Sequence, residues 1–490
     1  MKKLLCSLAA LFMLVPLFAN NIQVSNVTLT GQNTTANTYL VQFDIAWQNS
    51  WRTSTFESNY DAAWIFVKFR EVPATTWQHA LISTTGFNAP AGSSIDVAND
   101  ARGAFIFRDS DGIGDVSFTS VQLQWSYGVS FPDDQTLEIC VQAIEMVYIP
   151  GGSYELGDDS NNPDGNFEAG TTTNPFTISS EASLTLGGSS SANLNNNDNT
   201  GMFVDDDFDD VTTQTLPANY PKGFDPFYVM KYEISQGQYV AFLNKIGTTG
   251  AANRWANQLA NGNTIADTGV PPNIYETSTP ERACNYLNWP DISAYADWAA
   301  LRPMSEMEYE KCSRGTQSPA VDECAWGSPF AFNAAYTLGG AGTAAEVVTN
   351  PASGTGNALY TSTSVIINAP IRCGVFAGSI ANPSRAESGG SYYGVMELSG
   401  NLWEMTVSVG SQEGRDFNGT THGNGIISSA GNGTSGTNWP DNNNSLGVGL
   451  RGGAFTSQLD RLRISSREFA NTQVANRFSD VGARLVRSNF

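Results

Sequence analysis

Alternating apolar and polar positions dominate the first third of the chain. In YLVQFDIAW, Tyr39, Val41, Phe43, Ile45 and Trp47 share one face at period two, the pattern of a strand with one buried side. Trp64 to Phe69 is apolar on both faces, which predicts a central strand covered from both sides. Further strands are expected at Ile22–Leu29, Ala104–Phe107, Val121–Trp125 and Leu137–Ile144. Short strands divided by Gly, Asn and Pro turns predict an all-β unit over residues 21–145, read as a β-sandwich. DSDGIGD from Asp109 reads as a hairpin turn, with a single calcium-binding aspartate repeat as the alternative.

After residue 145 the period changes. Ser235 and Gln238 form a capping-box pair, and Tyr239, Phe242, Leu243 and Ile246 follow at helical spacing. Asp291 is placed to cap a second helix whose apolar face is Ile292, Tyr295, Ala296 and Ala299. Ser305 and Glu308 form another box, Met304 and Tyr309 a hydrophobic staple, and Gly315 a stop. The predicted class is therefore α+β: an all-β unit followed by a loop-rich α+β domain over residues 146–490, the two packed together because the join is abrupt. Two stretches lack periodicity, about 158–221 (Ser, Asn, Thr, Asp) and about 412–446 (Gly, Asn), and are read as a first and a second insertion, each a functional loop or a disordered segment.

Composition narrows the setting. Residues 1–20 read as a signal peptide: Lys2 and Lys3, the apolar run Leu4–Phe18, then Ala19. Export to the periplasm, cell surface or medium is expected, without a membrane span. The net charge of −22 disfavours nucleic acid and anionic membranes. DDDFDD from Asp205 is read as a solvated loop, with an ion site as the alternative. Cys140, Cys284, Cys312, Cys324 and Cys373 fit no zinc spacing; Cys312 and Cys324 could bridge, and buried hydrophobes are the other reading.

Five blocks name a family. MVYIPGGSYELGD from Met146, DPFYVMKYEISQGQYVAFLN from Asp225, LNWPDISAYADWAALRPMSEMEYEKCSRG from Leu287, YGVMELSGNLWEMT from Tyr393, and the closing RGGAF, RLRISSREF and VGARLVR run in family order. Together they resemble the sulfatase-modifying-factor, or formylglycine-generating-enzyme, domain, whose irregular fold is related to C-type lectins. The resemblance implies a copper-binding cysteine pair at positions held here by Leu459 and Ile464, so no copper site and no formylglycine chemistry are expected. The family's three-histidine iron branch is equally unexpected, since the chain has only His79 and His422, both read as surface residues.

The resemblance also implies structural calcium at Glu397, Gly400, Leu402 and Glu404, with a second site beginning at Asn333. Glu397 stands where the family has Asp or Asn. Trp403 is expected to anchor the core. The function that follows is an exported, non-catalytic protein of this family, with an extracellular protein or glycan, or itself, as partner. A metal-dependent oxidoreductase with a relocated site, a self-assembling surface protein and a variable display region at Thr456–Ser479 are the alternatives. Recognition is expected on the 412–446 loop, around Trp439, Pro440 and Asp441, together with the chain end, and not on the N-terminal all-β unit.

Overall fold

The computed structural model describes residues 22–129, 131–159, 164–433 and 438–488, so the expected leader lies outside the described residues. The fold is mixed, rich in short strands, with few and short helices. Strands Gln23–Asn33, Thr38–Arg52 and Gly112–Ser126 form a three-stranded antiparallel sheet. A larger, eight-stranded sheet runs Arg302–Pro303, Leu485–Arg487, Phe227–Met230, Leu137–Ile149, Asp61–Glu71, Ala104–Arg108, Ser93–Val97, with Gln78–His79 also paired to Asp61–Glu71.

The strand Leu137–Ile149 joins the two halves of the chain. One edge pairs with Asp61–Glu71 and the other, over its last four residues, with Phe227–Met230. The expected boundary between residues 145 and 146 thus falls inside one strand. Lys231 marks the seam: it is buried and bridges Glu145 at 3.1 Å and Asp61 at 3.6 Å.

The doubly apolar strand now has a reason. Ala63, Ile65, Val67 and Phe69 meet Val41, Phe43, Ile45 and Trp47 in a core shared with the three-stranded sheet. Trp64 and Phe66 point the other way, into the main core with Phe242, Tyr295 and Trp298. Trp64 Nε1 donates to the Ala299 carbonyl at 2.9 Å, and Phe66 meets Trp298 edge-on with centroids 5.1 Å apart. Helices of the second half therefore cover the back of the first half's sheet.

Those helices start where their caps direct. Gln236–Leu243 opens on the Ser235/Gln238 box and Glu306–Arg314 on the Ser305/Glu308 box. For Trp289–Trp298 the cap is Asn288, with Asp291 as its box partner; the expected cap is thus corrected by three residues, which places Pro290 inside the first turn, where a missing N–H costs nothing. The Asp-Gly turn is also corrected. Ala104–Arg108 and Gly112–Ser126 belong to different sheets, so the turn crosses between them, and Asp111 accepts the Ser54 N–H and hydroxyl.

The segment 158–221 carries structure of its own among the described residues. A four-stranded sheet of Glu168–Ala169, Leu194–Asn195, Leu184–Leu186 and Gln214–Leu216 lies within it. The acidic run is not a solvated loop. Phe208 is buried, Asp206 is buried against Arg467, and Asp207 holds Arg415 through two contacts of 2.6 and 2.7 Å.

The deepest feature is a network of ions around helix Glu306–Arg314, all nine residues of which are buried. Glu306 binds Arg451 Nη1 and Arg467 Nε, each at 2.8 Å, and accepts the Val409 N–H. Glu310 binds Arg451 Nη2 at 2.7 Å and Arg314 at 3.3 Å; Glu308 binds Arg302 through both oxygens. Burial raises the cost of charge on Glu306, but Arg467 and Arg451 outweigh it and hold its carboxyl below the usual range.

Removing one member of such a network strands its partners. Glu306→Gln is expected to cost about 3–5 kcal/mol of stability, the scale for breaking a buried pair from one side. Chemical denaturation would measure it, and a loss no larger than that of a surface substitution would show that the network is dispensable.

Candidate functional site

The Gly-Asn-Leu-Trp-Glu loop feeds strand Trp403–Val407, which pairs antiparallel with Val448–Arg451 and parallel with Val481–Gly482. This register puts Glu404 beside Arg484. Arg484 Nε lies 2.9 and 2.8 Å from the two carboxylate oxygens and Nη2 lies 2.6 Å from Oε1, while its other N–H groups donate to the Met230, Lys231 and Met396 carbonyls. Both residues are buried. Glu233, which sequence reasoning missed, accepts the Leu402 N–H at 3.0 Å and the Asn401 amide. Burial, helped by Glu404 and Glu397, raises the Glu233 carboxyl well above the usual range.

The other calcium candidates diverge. Glu397 has a left-handed backbone, with φ of 54°. Its Oε1 accepts the Gly374 N–H at 2.9 Å, whereas the buried Oε2 meets no hydrogen-bond partner among the described residues. Burial pushes this carboxyl up to about 7 against the pull of Arg484. Gly400 approaches the backbone of Leu359 so closely that an added Cβ would lie 2.6 Å from its carbonyl oxygen, so glycine is required there. Asn333 is exposed on a separate loop and makes no side-chain hydrogen bond to a described residue.

As a donor set for calcium, the Glu397 oxygen and the Gly400 and Leu402 backbone carbonyls have suitable chemistry. Glu404 does not, because its carboxylate already holds a guanidinium. No cluster of three or more His, Cys, Asp or Glu arranged for a metal occurs among the described residues.

The positions matching the family's cysteine pair are filled by packing. Leu459 opens the turn Leu459–Leu462 and packs with Cys324, Trp326, Ala358, Tyr360 and Leu462. Ile464 is buried, its N–H donates to the Glu323 carbonyl at 2.9 Å, and its carbonyl accepts from Arg451. Cys312 and Cys324 are both free, so the bridge considered from the sequence is not formed. Burial pushes both thiols up, away from the reactive thiolate.

Neither histidine is an ordinary surface residue. His79 is buried beside Lys68, a buried lysine whose Nζ lies 3.0 Å from His79 Nδ1, 2.7 Å from the Trp298 carbonyl and 3.0 Å from the Gly425 carbonyl. Three acceptors account for three ammonium N–H bonds. With Nδ1 accepting, Nε2 carries the proton and donates to the Arg102 carbonyl at 2.6 Å. The pair thus ties loop 98–103 to the second insertion at Gly425, where a Cβ would lie 2.1 Å from the imidazole. His422 accepts the Ser488 N–H at 3.0 Å and ties the same insertion to the end of the last strand.

Between these ties lies a half-enclosed cavity of about 700 Å³. Asn99, Asp100 and Arg102 form one wall, Glu181 and Asn219 of the first insertion another, and residues 419–424 of the second insertion a third; Arg302, Arg487 and Ser488 also line it. Together with loop 98–103 of the N-terminal half, where the sequence places no recognition, the cavity draws on the chain end and the second insertion. The apolar tip expected of that insertion is corrected. Trp439 is buried in the main core, donates to the Thr421 carbonyl, and Trp289 donates to the Pro440 carbonyl at 2.8 Å. Trp439 anchors the loop because helix Trp289–Trp298 offers it a partner, which no local pattern reveals.

The arginine-rich close and the Gly-Asn-Leu-Trp-Glu loop both lie within the part of the chain that matches a known family. The chain matches the sulfatase-modifying factor enzyme 1-like domain over residues 135–489 and belongs to that family. It is also similar to the formylglycine-generating enzyme of Thermomonospora curvata, 26% identical over 203 residues. That likeness covers 36% of this chain and 58% of the enzyme.

The His79 tie has a pH signature. Burial and the adjacent Lys68 hold the imidazole well below its usual range, so below about pH 6.5 the unfolded chain takes up this proton first. Stability from this group is therefore lost as pH falls through the unfolded value, by at most about 1.4 kcal/mol per pH unit. His79→Gln should flatten the dependence of denaturation free energy between pH 7 and pH 5 relative to wild type. Parallel curves for the two proteins would refute the assignment.

Proposed function

We propose that this protein is an exported, non-catalytic member of the sulfatase-modifying factor family that acts by binding, with the cavity at the seam as its recognition site. The observation that carries this reading is the apolar filling of positions 459 and 464. Formylglycine chemistry needs a reactive thiolate pair; here Leu459 and Ile464 pack into the fold, and the nearby Cys324 is buried with its thiol raised. A relocated oxidoreductase site is less well supported, because Cys284, Cys312, Cys324 and Cys373 are all buried. Export rests on the sequence of residues 1–20; among the described residues no helix is long and apolar enough to cross a membrane.

The test is direct. Incubated with copper, oxygen and a sulfatase-type cysteine peptide, the purified chain is expected to leave the peptide thiol intact. Aldehyde formation above a no-protein control would overturn the non-catalytic reading.

Calcium belongs to the same proposal, with the spare oxygen of Glu397 as its motivation. A metal that binds only the folded state raises stability, by about 2.7 kcal/mol at a hundredfold excess over Kd. Chelator is expected to lower the melting temperature of wild type but not that of Glu397→Ala. Glu404→Ala should destabilise with or without calcium, since it strands Arg484. A wild-type melting curve unmoved by removal of bound calcium would exclude the site.

A further inference from the structure

The cavity at the seam is the point at which both insertions and the two halves of the chain converge. Its volume lies in the range of small-molecule sites, roughly 300–1,000 Å³. Its walls come from the N-terminal loop, from both insertions and from the last strand, and they are held by fixed contacts. Arg302 is bound by both oxygens of Glu308 and donates to Ser488 Oγ; Arg487 binds Asp100 at 2.6 Å and lies 4.3 Å from the centroid of the Trp64 ring. Glu181 accepts three backbone N–H groups, from Lys222, Phe224 and Asp225. Such walls are preorganised, so a ligand need not order them.

The lining also constrains the ligand's chemistry. Arg302, Arg487, Asp100 and Glu308 are matched among themselves, and Glu181 is satisfied by the backbone. Arg102 and Asp225, which form no ion pair among the described residues, are opposite in sign. An ionic ligand would find a single unpaired charge of each sign and no cluster of countercharge, and an anion would meet a chain of net charge −22. Ala218, Pro221, Pro226 and Phe227 give the lining an apolar part, but a wholly apolar ligand would also strip water from the side chains of Asn99, Asn219 and Thr421, none of which bonds to another described side chain, and return no hydrogen bonds. Amide and hydroxyl groups donate and accept at once, as sugar hydroxyls do.

We infer that the cavity binds a neutral saccharide of one to three rings, a reading that rests on the non-catalytic binding function proposed above and gives its ligand class. Both insertions then exist to complete a sugar site between the two halves of the chain. Asn219 and Thr421 stand on adjoining segments of the cavity wall, which are joined where Gly419 N–H bonds the Asn219 carbonyl at 3.0 Å. They serve as the principal hydrogen-bonding side chains from the insertions.

The experiment titrates the full chain with glucose, galactose, mannose, N-acetylglucosamine, cellobiose, lactose and diacetylchitobiose, with galacturonic acid and glucosamine as charged arms. Calorimetry and saturation-transfer NMR report binding. At least one neutral sugar is expected to bind, and the Asn219→Ala, Thr421→Ala double variant to lose affinity about tenfold or more, the equivalent of about 1.4 kcal/mol. Both positions are at least partly exposed, so the variant's melting temperature should match wild type. A second variant, Asn99→Trp, should block the opposite wall with the same loss. No neutral sugar bound at tens of millimolar, a preference for either charged sugar, or equal affinity in wild type and both variants would overturn the assignment. Failure here with the peptide thiol still unreacted removes only the ligand; aldehyde formation removes the binding reading itself.

Discussion

The buried arginines Arg302, Arg451, Arg467 and Arg484 must find buried acids, and the rest of the structure is arranged to supply them. Arg451 and Arg467 converge on Glu306, Arg302 closes on Glu308, and Arg484 closes on Glu404. Each guanidinium taken from water costs several kcal/mol and recovers it only where geometry is good and the remaining N–H groups are satisfied. Helix Glu306–Arg314 can therefore be buried on every side although it carries five charged residues. The first insertion joins the same network through Asp206 on Arg467, which explains why a segment so polar is held in place.

The second constraint is the continuity of the large sheet. A strand that pairs on both edges cannot be slipped without breaking both ladders. Leu137–Ile149 is such a strand at its end, and Lys231 with Glu145 and Asp61 adds a buried charge cluster at the same level. The two halves are thereby fixed relative to one another, and a cavity walled by both can keep its shape. Had they been joined only by a linker, loop 98–103 and residues 419–424 would not be held at a fixed separation.

Chemistry on this fold is decided at few positions. Leu459 extends a core that Cys324, Trp326 and Leu462 form, and Ile464 is buried with its N–H on the Glu323 carbonyl. The ion network holds the surrounding backbone, since Arg451 binds Glu306 and Glu310 and donates to the Ile464 carbonyl. The scaffold is thus free to present loops, and the longest of these meet at the seam.

The sequence by itself determined the strands with period-two patterning, the boxed helix starts at Ser235 and Ser305, the family through its arginine and Gly-Asn-x-Trp-Glu blocks, and the presence of Leu459 and Ile464 in place of any thiol at those positions. These are local signals: periodicity, caps and residue identity read over a few positions. Tertiary structure alone decided that DDDFDD is a clamp for Arg467 and Arg415, that Glu404 is spent on Arg484, that Trp439 is an anchor, and that His79 and Lys68 form a buried tie. Asp206 lies 261 residues from Arg467 in sequence, and Trp289 lies 151 from Pro440. A charge or a ring in a polar stretch looks solvated until a distant partner is brought to it. Whether it is a loop, a ligand or a strut depends on that partner, and only folding supplies it.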